Sequence, residues 1–366
     1  MIIKKATFLL LLSIFTLGLI NAQVVRKYSN EFLSIGVGAR GVGMGNSVIA
    51  TTTDVYSTYY NPAGLLSMSD KVAVGYMHSE YFAGIAKYDY GAVAYKISDD
   101  QVAGLSFIRF GVDNIPNTLN LYADGVLNYD RITSFSVADM AIVGSYAQKI
   151  PIENLYVGGN VKIIRRVAGD FANAWGFGFD VGARYLYKEW IFAANIRDIT
   201  GTFNAWSYNN DELREVFEVT GNELPTNSLE VTTPRIIAAA AYRYVIRERF
   251  KILGEINLDI TTDKKRNTLI RTNFISMDPQ MGVEISIDDI VYARFGLRNL
   301  QQEVKTEGKK GYTIMPSIGA GLQINKLGID YAYTDIGNVS GALYSHVVSL
   351  HYHFNHSPKK TSSNTL

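Results

Sequence analysis

Cysteine is absent from the 366 residues, so neither a disulfide framework nor thiol chemistry is available. Beyond residue 22 there is no run of about 18 consecutive apolar residues, which excludes a helical inner-membrane protein. An excess of charge of one sign is also missing. Thirty-five Lys and Arg face 34 Asp and Glu, and nothing in that balance points to nucleic acid. Histidine is scarce, with five in all, and no Gly-x-Ser-x-Gly nucleophile motif occurs. His78 has Ser79 and Glu80 beside it, but successive side chains on a strand point apart, so the trio makes no catalytic set. His351, His353 and His356 have zinc-like spacing, yet no cysteine and no carboxylate lies within the cluster. They read as ordinary lumen-facing or periplasm-facing residues. The expectation is therefore a protein with no catalytic residue, no metal site and no cofactor.

What is present begins with a targeting pattern. Lys4 and Lys5 precede a nearly unbroken apolar run over 6–20, and Asn21-Ala22-Gln23 offers a small residue for cleavage. Residues 1–22 read as a secretory signal peptide, with a cut after Ala22 freeing Gln23. The apolar run falls short of the ~20 residues that a helical span requires.

The dominant signal in the rest of the chain is alternation. Trp175, Phe177, Phe179, Val181, Ala183, Tyr185 and Tyr187 are separated by Gly176, Gly178, Asp180, Gly182, Arg184 and Leu186. A strand sends alternate side chains to opposite faces, so one face here is apolar and the other mostly small or charged. The pattern returns over 250–260 and 327–334. A soluble sandwich alternates too. Its strands typically have ~5–6 residues, however, and here many have ten or more. Aromatics also gather near strand ends, as at Tyr185, Tyr187, Trp190 and Phe192, in the manner of an interfacial girdle.

About fourteen strands are predicted: 72–78, 84–97, 102–112, 137–150, 155–166, 175–187, 190–198, 235–246, 250–261, 279–287, 290–299, 313–324, 326–335 and 344–354. Turns after even-numbered strands are short, as at Lys188-Glu189 and Asp288-Asp289. Those after odd-numbered strands are usually longer, notably 113–136, 199–234 and 263–278. Such alternation of connection lengths is the layout of a transmembrane barrel with its long loops outside. The fold class is all-β: an antiparallel transmembrane β-barrel over 71–354, an N-terminal plug over 23–70, and a polar tail over 355–366. Tyr352 and Phe354 end the last strand and read as the assembly signal of the closing strand. Inward positions carry both signs of charge, among them Lys162, Asp180, Arg184, Arg197, Glu255, Asp259, Glu284, Arg294, Arg298 and Asp330. Mixed signs predict an internal ion-pair network, because buried charges need partners. A selective channel would show rings of one sign.

Residues 26–70 do not alternate. They hold Gly36, Gly38, Gly41, Gly43 and Gly45, and then Asn61-Pro62-Ala63-Gly64-Leu65. The glycine run lacks the strand, helix and Lys-Ser or Lys-Thr that a phosphate loop needs. Close packing of irregular backbone in a narrow lumen explains it, since such backbone is tolerated at membrane depth when protein encloses it. The stretch 38–45, Asp54 downstream and the Asn61–Leu65 segment resemble the opening of PorV/PorQ-family proteins, relatives of the FadL fatty-acid transporter barrels. That resemblance implies a fourteen-stranded barrel with an N-terminal hatch in the cell outer membrane, in contact with membrane lipid. It further implies a component of type IX secretion or surface attachment, binding a large translocon barrel and secreted cargo. The alternative is a FadL-like channel for hydrophobic small molecules. The 199–234 loop carries Phe203, Trp206, Tyr208, Leu213 and Phe217, with a short amphipathic helix over 210–219. Trp206, Tyr208 and Phe217 are the candidate partner-binding residues, in a loop that reads equally well as a lid over the barrel mouth.

Overall fold

The computed structural model describes residues 29–123, 126–262, 266–304, 310–334 and 345–354. Residues 1–22, read from sequence as a signal peptide, and the 355–366 tail lie outside the described residues. Fourteen strands form the wall: β1 (Val72–Tyr81), β2 (Ala86–Ser98), β3 (Gln101–Asn117), β4 (Thr133–Lys149), β5 (Leu155–Ala168), β6 (Ala172–Tyr187) and β7 (Trp190–Arg197). They continue as β8 (Arg235–Ile246), β9 (Phe250–Thr261), β10 (Ser276–Ile287), β11 (Val291–Val304), β12 (Lys310–Ile324), β13 (Leu327–Thr334) and β14 (Ser345–Phe354). Each pairs antiparallel with the next. β14 returns to β1, from Val72 opposite Phe354 to Glu80 opposite His346. The barrel is closed, which removes the unpaired edges an open sheet would expose to lipid. Among the described residues no helix is long and apolar enough to cross a membrane, so any crossing is made by strands.

The alternation decides which face each side chain takes. Trp175, Val181, Ile256, Phe295 and Ile318 lie outward and are 45–58% exposed, while Asp180, Glu255 and Arg294 lie inward and are at most 5% exposed. An apolar outside and a polar inside are what a barrel in lipid requires.

The even-numbered turns are tight, as the sequence predicts. Asp288 and Asp289, in the three-residue connection between Ile287 and Val291, both take positive φ, 54° and 56°, which short acidic side chains tolerate. The opposite end departs from the expected alternation. β1 joins β2 through four residues and β5 joins β6 through three, as short as the turns at the other rim. Gly84 and Gly169, at φ 86° and 53°, let the chain reverse there.

The loop after β7 is built, not irregular. Thr202–Tyr208 runs antiparallel to the outer end of β6, with Phe203 opposite Phe177 and Tyr208 opposite Ala172. It also pairs with Ser228–Thr232. The helix Asn210–Thr220 bridges the two, close to the predicted 210–219.

Residues 29–70 fill the lumen with short helical turns: Glu31–Ser34, Ala39–Gly43, Ser57–Tyr60 and Pro62–Ser67. Val37, Val42, Met44, Ile49 and Leu65 are buried against the wall and one another. The structure therefore has a plug where the sequence lacks alternation.

Candidate functional site: a plugged lumen with an outer cavity

Plug and wall meet through glycine. A Cβ on Gly43 would lie 3.1 Å from the Cα of Gly319 on β12, and one on Gly45 would lie 2.8 Å from the backbone nitrogen of Leu297 on β11. From the other side, a Cβ on Gly296 would fall 2.0 Å from the nitrogen of Gly45. Backbone touches backbone here, and no side chain fits between. Gly41 makes room for the Tyr60 hydroxyl, and Gly38 takes φ 72° at the start of its short helix. A strand pattern alone does not say which inward wall glycine faces a plug, so Gly296 and Gly319 carry no signal in the sequence.

Asn61 and Pro62 do more than make a turn. Asn61 caps the Pro62–Ser67 turn, its Oδ1 accepting from the Ala63 amide, and Pro62 occupies the first helical position. The Asn61 Nδ2 donates to the carbonyl of Ala183 on β6 at 3.1 Å, so the cap also pins the plug to the wall. Gly64 is required by space, since a Cβ would sit 2.3 Å from the Thr52 carbonyl oxygen. Asp54 accepts from the Tyr56 amide at 2.9 Å and stabilises the next turn.

Charge supplies the second joint. Arg40 of the plug and Arg294 of β11 share Glu284 of β10, at 2.9 and 2.6 Å, and Arg294 reaches Asp330 of β13 at 2.6 Å. Glu255 of β9 accepts from the Ala50 amide at 2.8 Å and the Thr51 hydroxyl at 2.6 Å. Arg184 donates to the Ala50 carbonyl. Lys162 lies between Asp180 and Asp198. The predicted mixed-sign network is thus present, and half of it holds the plug.

Near the outer rim the packing opens into a cavity of about 450 Å³ between the plug, β7–β11 and the loop after β9. Its walls include Tyr59, Arg197, Arg235, Asp259, Asp278 and Arg298. Arg235 forms a two-point pair with Asp259 at 2.6 and 3.0 Å. Arg197 stacks on Tyr59 and donates to the carbonyls of Leu33 and Tyr59, and Arg298 donates to the carbonyl of Ile35. Alternation marks Arg197, Asp259 and Arg298 as inward. Asp278 falls outside the predicted 279–287 strand, which in the structure begins at Ser276, and Arg235 is the first residue of its own.

The candidate loop residues take a different position from the one expected of an exposed interface. Trp206 and Tyr208 are half-buried and stacked on each other, with Trp206 also over the Arg166 guanidinium at 5.0 Å. They share the inward phase of Thr202 and Asn204, and so lie over the lumen. Phe217 on the helix is half-buried too, whereas Phe203 and Leu229 are exposed outward. Tyr352 and Phe354 lie outward at the seam with β1 and meet edge to face, with ring centroids 4.7 Å apart. The expectation that no carboxylate lies near the histidine cluster is corrected. The fold brings Asp70 to 3.0 Å from His353 and Asp330 to 3.7 Å from His351. Those contacts join distant segments and leave no trace in residue spacing. His356 lies outside the described residues.

No protein-family model and no curated protein matches the chain. Solved structures do. The monoaromatic hydrocarbon channel CymD aligns at 11% identity over 88% of this chain and 98% of its own, with a TM-score of 0.54. The toluene transporter TodX of P. putida gives the same identity and TM-score over 88% and 99%. The toluene transporter TbuX of Ralstonia pickettii aligns at 11% identity over 87% and 99%, with a TM-score of 0.52. The fold is that of these channel barrels. At such identity the likeness is one of architecture, and it extends over nearly the whole length of each neighbour.

Proposed function

We propose that this chain is an outer-membrane barrel that admits a small molecule from outside into a lumen closed by its plug, the FadL-like channel reading. The cavity of about 450 Å³ beneath the outer rim carries the reading. Its volume falls within the ~300–1,000 Å³ of small-molecule sites. The plug floors it through hydrogen bonds and ion pairs, contacts that can exchange with a second arrangement. The apolar outer belt supports an outer-membrane location, and the architecture shared with hydrocarbon channels supports passage of a small solute. The test compares a deletion strain with its parent for uptake of labelled solutes across the outer membrane. Slower uptake of at least one solute, restored by the intact gene, is expected. Identical uptake of every solute overturns the reading.

One observation favours a second reading, a barrel that holds proteins for type IX secretion or surface attachment. Among the described residues every wall strand pairs with both of its neighbours, which favours a closed wall over one with a lateral exit for a hydrophobic solute. In that reading the outer hairpin and helix, with Trp206, Tyr208 and Phe217, meet a translocon barrel or cargo. Unchanged solute uptake together with loss of surface proteins from the deletion strain would select it.

A further inference from the structure

We propose that the outer cavity binds a small zwitterion, an amino acid or a di- or tripeptide, with Arg298 and Arg197 taking its carboxylate and Asp278 its ammonium group. The inference rests on the small-molecule reading above and goes beyond it by naming the ligand class.

Three buried polar atoms on the cavity wall have no partner among the described residues: Arg298 Nε, Asp278 Oδ1 and Thr261 Oγ1. Buried polar atoms are paired in the great majority of cases, and each exception calls for a reason. Arg298 is 8% exposed and Thr261 4%, so bulk water does not supply the missing bonds.

The charges around the cavity are unevenly satisfied. Arg235 and Asp259 saturate each other. Arg298 and Arg197 bond only to carbonyl oxygens and form no ion pair with a described residue. A guanidinium bound to carbonyls keeps its full charge and gains a charge-assisted bond when a carboxylate arrives. Asp278 likewise forms no ion pair with a described residue. It stands directly opposite Asp259 across the β9–β10 ladder, where two like charges repel. An ammonium group placed beside it would relieve that repulsion.

One cavity therefore holds cations and an anion that form no contact ion pair with each other or with another described residue. A hydrocarbon would leave all of them unsatisfied. A simple anion would leave Asp278 as it is, and a simple cation would leave the arginines. A molecule with a carboxylate at one end and an ammonium at the other satisfies both, and Thr261 adds a donor or acceptor for a peptide group between them.

The experiment is titration calorimetry on the full-length protein purified in detergent, with alanyl-alanine as the probe. N-acetyl-alanyl-alanine and alanyl-alanine amide, which lack the ammonium or the carboxylate, are the comparisons. Alanyl-alanine is expected to bind at least tenfold more tightly than either. Arg298→Gln should weaken it at least tenfold. Asp278→Asn should weaken it at least tenfold while leaving the acetylated analogue unchanged. Because the analogue comparison uses the wild-type protein, the proposal is decided even where a variant fails to fold. Equal binding of the three compounds, or binding of octanoate or toluene in place of the dipeptide, overturns the zwitterion and leaves the small-molecule reading standing. No binding by any of them overturns the zwitterion as well, and the uptake comparison then decides the broader reading independently.

Discussion

Glu284→Gln tests how the plug is held. In the native protein one carboxylate serves two guanidiniums, Arg40 of the plug and Arg294 of the wall. The substitution keeps the volume and removes the charge. Arg294 retains Asp330 at 2.6 Å, whereas Arg40 loses its carboxylate and keeps only neutral acceptors, the Thr51 hydroxyl and the new amide oxygen. Breaking a buried pair on one side costs ~3–5 kcal/mol, and the lower end applies because the Arg40 side chain is partly exposed. About 3 kcal/mol is roughly a hundredfold in an opening equilibrium. The loss should fall on the plug, since the wall is held by its own closed ladder. The readout is amide hydrogen exchange of the protein in lipid nanodiscs. Val42, Met44 and Asn46, whose amides donate within the plug to Gly38, Arg40 and Gly41, should lose about a hundredfold in protection while β5 is unchanged. Adding Arg40→Met should recover most of the loss by removing the stranded charge. Unchanged protection over 39–48, or an equal loss across the wall, would refute the reasoning.

The other expectations follow from the same geometry. Gly64→Val places a side chain on the Thr52 carbonyl oxygen and should expose the plug to protease while the barrel stays heat-modifiable on gels; a protease-resistant plug would contradict it. Phe354→Ala should lower the level of folded barrel by weakening the β14–β1 seam, and deletion of 355–366 should not; equal levels in all three proteins would remove the assembly role. A tag beside Asn209 should be reached by antibody on intact cells and one beside Asp99 should not; the reverse would invert the topology.

Much of this architecture is legible in the sequence for one physical reason. A wall with lipid on one side and a packed lumen on the other imposes strict alternation on every strand, so Trp175 to Tyr187 gives both the element and its face. The plug is legible as the place where alternation fails and glycine gathers. What the sequence does not show are the pairings between distant segments. Nothing near Gly43 and Gly45 indicates that Gly319 and Gly296 are their counterparts. Nothing near Trp206 indicates that its strand pairs with β6 and lays the indole over Arg166. The cavity is illegible for a related reason: alternation marks Arg197 and Arg298 as inward but not as neighbours, and Asp278 lies near the start of its strand, where boundaries are least legible.

Solute flux into proteoliposomes tests the central claim most directly. Vesicles carrying the purified protein should take up at least one labelled small solute faster than empty vesicles. The rate should saturate with concentration, and Arg298→Gln should reduce it. Uptake equal to that of empty vesicles for zwitterionic, anionic and apolar solutes alike would contradict the account.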